Sequence, residues 1–103
     1  MRVELHPQAE QELEEALGWL DDISTALSTE FAVIVEDTLA LLAARPGIGA
    51  PVQQPPEAVG LRRHPIRKFN YLIIYEPVSG GIFVYAVAHQ RRRPGYWAKR
   101  HQP

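Results

Sequence analysis

The last third of the chain gathers side chains that handle negative charge. His89 is followed by Arg91, Arg92 and Arg93, then by Tyr96 and Trp97, and Arg62, Arg63, Arg67 and Lys68 lie upstream. Guanidinium groups pair with phosphate or carboxylate oxygens, and an imidazole or phenol can move protons. An aromatic ring can stack on a base. Two uses fit these residues. One is a metal-free ribonuclease, with His89, Arg91, Tyr96 and Arg63 as the cleavage set. The other is a surface for an anionic partner, nucleic acid or acidic peptide, made by Arg62, Arg63, Arg67, Lys68, Arg91, Arg92, Arg93, Tyr96 and Trp97. Residue types alone leave both open. A metal or cofactor is not expected. His6, His64, His89 and His101 are scattered, with no carboxylate at helical ligand spacing. There is no cysteine, and neither a glycine-rich phosphate cradle nor a G-x-S-x-G elbow occurs.

The elements that must position these residues follow from periodicity. Arg2–His6 alternates apolar and polar, as a short strand does. Pro7 then fits a first helical position, where no amide hydrogen is needed, and Ala9, Leu13, Ala16, Leu17 and Leu20 form one apolar stripe. That helix runs to Ile23. Asp21–Thr25 reads as a connector, with Ser24 or Thr25 capping a second helix whose stripe is Leu27, Phe31, Ile34, Val35, Thr38, Leu41 and Leu42. Arg45-Pro46-Gly47 ends it, giving an antiparallel helical hairpin. Trp19 on the first helix reads as core or partner surface. Residues 46–58 hold four prolines and form an extended loop.

Three strands are expected at Val59–Pro65, Phe69–Glu76 and Ile82–His89. The last two are joined by a five-residue loop, Pro77–Gly81. Pairing Glu76 with Ile82 sets His89 opposite Phe69 and Arg91 opposite Arg67, so the cations converge at one sheet end. Tyr71, Tyr75 and Tyr85 read as core or cross-strand packing, and Trp97 as a dock for the tail. With 103 residues at 46% apolar, the reading is one α+β domain spanning 1–103, ordered β-α-α-β-β-β. A mostly antiparallel sheet packs on the hairpin, and a basic tail spans 90–103.

The net charge of −1 conceals two poles. Residues 1–60 carry eleven acids and two bases, whereas residues 61–103 carry nine bases and one acid. A basic pole suits an anionic partner. No apolar run approaches the ~20 residues of a membrane span, and Met1–Glu10 lacks a signal-peptide layout. A cytoplasmic protein is expected.

Several segments resemble the RelE/ParE superfamily of bacterial toxins from type II toxin–antitoxin modules, the plasmid stabilisation proteins. They are Leu5-His6-Pro7-Gln8-Ala9-Glu10 with Leu13, Phe31, the Arg45-Pro46-Gly47 exit, Gly60-Leu61-Arg62-Arg63, Phe69–Tyr75, and above all Ala86–Trp97 with its His, arginines, Pro and Tyr-Trp. The resemblance implies a growth-inhibiting toxin neutralised by a cognate antitoxin in a hetero-oligomeric complex. Its RelE-like members are ribosome-dependent messenger-RNA endonucleases, and its ParE-like members inhibit DNA gyrase without being nucleases. In ribonuclease members an arginine commonly precedes the I-x-Y of the second core strand, and here that position is Leu72. An aliphatic side chain cannot stabilise phosphate charge. With the acidic net charge, this favours the ParE-like branch. Arg63, Arg91, Arg92 and Tyr96, with Arg62 replacing the missing guanidinium, keep the RelE-like alternative open. A chain retaining only its antitoxin-binding shell is a third outcome.

Overall fold

The computed structural model describes residues 2–101. Strand β1 (Arg2–Leu5) leads into helix α1 (Pro7–Ile23), which His6 caps by accepting the Gln8 amide on Nδ1 at 3.1 Å. Ser24 alone separates α1 from α2 (Thr25–Ala44). Its amide donates to the Leu20 carbonyl at 2.8 Å, and its hydroxyl accepts the Leu27 amide at 3.4 Å. The expected connector is therefore shorter, because one extended serine closes one helix and opens the next. Strands β3 (Arg62–Ile66), β4 (Tyr71–Val78) and β5 (Gly81–His89) follow. The proline loop is not wholly irregular. It holds 3₁₀ turns at Pro46–Ile48 and Pro56–Ala58 and a two-residue strand, β2 (Ala50–Pro51). The sheet order is β1-β5-β4-β3-β2, antiparallel except for the parallel β1–β5 pair.

The sheet has a core on each face. Both helices cover one, with Phe31, Leu42, Ile73, Tyr75, Ile82 and Val84 at its centre. Burying such an aliphatic or phenyl side chain contributes about 1.5–3 kcal/mol. Phe31 meets Phe69 and Tyr71 edge-on, at ring separations of 4.9 and 5.3 Å. Ala58, Leu61, Ile74, Ala86, Trp97 and Ala98 form the other core, where the chain's own tail folds back over the sheet. The tail is therefore no loose extension up to His101, and a 3₁₀ turn spans Ala98–Arg100. Of the expected helical stripe, Leu27 and Leu41 lie on the exposed side of α2, and Trp19 is 59% exposed and belongs to the surface. Among the described residues no helix is long and apolar enough to cross a membrane.

The β4–β5 register departs from expectation by two residues at its far end. Val78 pairs with Gly81, so only Ser79 and Gly80 form the turn, and Glu76 faces Phe83 rather than Ile82. Gly80, at φ 80°, enters the left-handed region without a Cβ penalty. Tyr75 then faces Val84 while Ile74 faces Ala86. Tyr85 is thus the extra residue of a bulge, and it and Ala86 both turn to the tail-covered face. His89 consequently lies opposite Tyr71, not Phe69. Arg91 lies beyond the last pair and is not opposite Arg67.

Candidate functional site: a basic groove on the tail-covered face

Side chains alternate across a strand, and this divides the expected cations. Arg63 pairs across β3–β4 with Ile74 and shares its outer face, whereas Arg62 pairs with Tyr75 and turns to the helix side. There the Arg62 guanidinium donates to the Gly49 and Gly47 carbonyls at 2.6 and 3.2 Å, pinning the proline loop. It is a structural clamp on the face opposite Arg63. Lys68, at φ 71° in the β3–β4 turn, bonds Glu30 of α2 at 2.8 Å. Arg67 borders a separate cleft along α2 with Val33 and Ile34. The convergence of all these cations at one sheet end is therefore corrected to a smaller set.

That set lines a groove of about 720 Å³ on the outer face, between the β2 loop and the returning tail. Arg63, Arg92 and Arg93 supply its positive charge, and His89 borders it with its ring turned to Tyr71 of the helix side. Tyr96 and Trp97 form a wall, and Leu72, Ile74 and Ala88 make an apolar floor. Among the described residues no carboxylate lines it. Arg91 is exposed and its amide donates to His89 Nδ1 at 3.1 Å, while the His89 ring sits edge-on to Tyr71 at 5.0 Å. Trp97 is 6% exposed and packs into the outer core. Its ring anchors the tail and leaves little face for stacking.

Sequence reasoning missed Glu12. Tyr96 donates its hydroxyl to Glu12 Oε2 at 2.5 Å, and Arg100 makes a two-pronged bond to the same carboxylate at 2.9 and 3.0 Å. Glu12 also accepts the Val87 amide at 3.0 Å, on the edge of β5 past the end of β1. Arg92 lies 3.9 Å over the Tyr96 ring, a cation–π distance. Burial first, then the bond to Glu12, push the Tyr96 phenol well above its ordinary range. The signal for Glu12 was its spacing. It lies three residues after Ala9 and four before Ala16, both buried, unlike the exposed Glu10, Glu14 and Glu15. Arg100 was missed as well. At the tail's end His101 meets Glu76 at 3.0 Å.

Chemically, the groove sets guanidinium groups beside an apolar floor, an arrangement suited to an anionic, partly apolar chain. In comparison with known proteins, the family model described as "ParE toxin of type II toxin-antitoxin system, parDE" matches residues 3–94. No curated protein sequence matches the chain.

Proposed function

The chain belongs to the ParE toxin family of type II toxin–antitoxin systems, whose toxins are paired with a cognate antitoxin, and on that premise we propose that it inhibits DNA gyrase by binding, without catalysis. The contact surface is the basic groove with Arg63, Arg92 and Arg93. The observation that carries this reading is the state of Tyr96. Its hydroxyl is already committed as a donor to Glu12, and burial keeps it protonated. A phenol so held neither takes a proton from an attacking hydroxyl nor is free to hand one to a leaving group. Leu72 supports the same reading, since it floors the groove where ribonuclease members of the superfamily commonly carry an arginine. His89 is then a lone imidazole that no carboxylate orients among the described residues.

The test sets the purified chain against DNA gyrase in a supercoiling assay and, in parallel, against ribosomes translating a defined message. Inhibited supercoiling with intact message is the expected result. Codon-position cleavage with gyrase unaffected would overturn the reading in favour of the RelE-like alternative and make His89, Arg91, Tyr96 and Arg63 the residues to substitute. Inertness in both assays and no growth arrest on expression would leave only the antitoxin-binding shell.

A further inference from the structure

Glu12 is unlike the other acids of α1. Its side chain keeps 9% exposure, and its carboxylate takes the Tyr96 hydroxyl, both terminal nitrogens of Arg100 and the Val87 amide, with Arg92 a further 3.6 Å away. A carboxylate this buried persists where donors replace its water, and here they come from β5 and the tail. Tail docking does not rest on Glu12 alone. Trp97 and Ala98 are packed in the outer core, and His101 reaches Glu76 and the Glu57 carbonyl. Glu12 does something those contacts do not: it fixes the phenol that carries the Arg92 guanidinium on its face.

We propose that Glu12 is the positioning residue of the basic groove. By holding the Tyr96 hydroxyl it sets the ring on which Arg92 rests, and so presents Arg92 to anionic groups of the bound partner. This rests on the groove being the toxin's contact surface, but not on which target it contacts. An arginine stem is rich in rotamers, and ordering it before binding lowers the entropy lost on binding. Glu12 touches no partner itself.

The experiment is growth arrest in bacteria lacking the antitoxin, with the full chain induced to matched levels as wild type, Glu12→Gln, Arg92→Ala and the double variant. The glutamine keeps the shape and an acceptor for Tyr96 but removes the charge that holds Tyr96, Arg92 and Arg100 together. Arg92→Ala is expected to raise the induction needed for arrest about tenfold, the scale of a substantial interface residue. Glu12→Gln has an effect of the same order, and the double variant is no weaker than Arg92→Ala alone, because both changes act through one guanidinium. Amide exchange on the purified chain should quicken at Arg91, Arg92, Arg93, Gly95 and Tyr96 in Glu12→Gln and stay slow in β4. Unchanged toxicity in either single variant overturns the proposal, as do effects that multiply in the double. Should Glu12→Gln fail to fold, Tyr96→Phe removes only the bonded hydroxyl and is put through the same comparison. Growth arrest is read whichever target is struck, so a negative gyrase assay sinks the proposed target and leaves this inference to its own test.

Discussion

At the scale of single residues, the proline loop is held by two side chains from neighbouring strands. Tyr75 is wholly buried; its hydroxyl accepts the Gly49 amide at 2.9 Å and donates to the Pro46 carbonyl at 2.7 Å. Arg62, its cross-strand partner, takes the Gly47 and Gly49 carbonyls. A Cβ on Gly49 would run into the Tyr75 hydroxyl, so the loop passes where only glycine fits. Tyr75→Phe would strand a buried amide and a carbonyl, and a buried group left without its partner costs about 1–3 kcal/mol. The expected outcome is a lower urea midpoint at unchanged slope; an unchanged midpoint would show that water serves both groups. The same pair shows what residue spacing can and cannot tell. Strand alternation sets Arg62 and Arg63 on opposite sides, yet the sequence reading put both in one converging surface. That Arg62 has backbone carbonyls to bind was not legible, because the loop that supplies them is positioned by contacts distant in sequence.

Among elements, the helices were the most legible. Their apolar stripes, Pro7 at the start and Arg45-Pro46-Gly47 at the end gave both spans, because each signal is local. Strand register was not local, and there the reading slipped by one residue at the Ser79–Gly80 turn and by another at the Tyr85 bulge. Nothing within the aromatic-aliphatic run Tyr71–Tyr75 marks where an unpaired residue must go. The sheet edge was also hidden: β1 lies parallel against β5, a pairing between segments some eighty residues apart. That pairing depends on Gly81, where an added Cβ would overlap the Arg2 backbone. Gly81→Ala should therefore force β1 away from β5, at the ~1–3 kcal/mol typical of overpacking. Hydrogen exchange would show it as faster amides at Arg2 and His6, which bond the Gly80 and Val84 carbonyls at 2.8 Å. Uniformly slow exchange at those amides would mean the strand can slide without separating. The groove lies on the sheet's opposite half, so toxicity should outlast this change wherever the chain remains folded.

Over the whole molecule the two charged poles are joined at few points. Glu12 reaches Arg100 and Arg92, Glu30 reaches Lys68, and the other acids of the hairpin face solvent. Burial, by contrast, bears on all four tyrosines in the same direction. Tyr71, Tyr75, Tyr85 and Tyr96 each have a pKa raised from 10.0, with burial the largest cause in every case. The folded chain therefore keeps phenolic protons at a pH where the unfolded chain has released them. A group with a raised folded pKa contributes its full stability below the unfolded value and loses it as pH climbs past that value. Unfolding free energy should thus be insensitive to these groups below about pH 10 and fall with increasing slope above it. Tyrosinate absorbance in the native protein should rise at higher pH than in the denatured chain, and coincident curves would refute the assignment. Tyr96, with the largest shift, should account for more of that slope than any other tyrosine. In Tyr96→Phe the alkaline fall in stability should be shallower than in wild type, even though the variant starts less stable for want of the bond to Glu12. A variant that loses stability uniformly at all pH values would place the alkaline sensitivity in the other three rings.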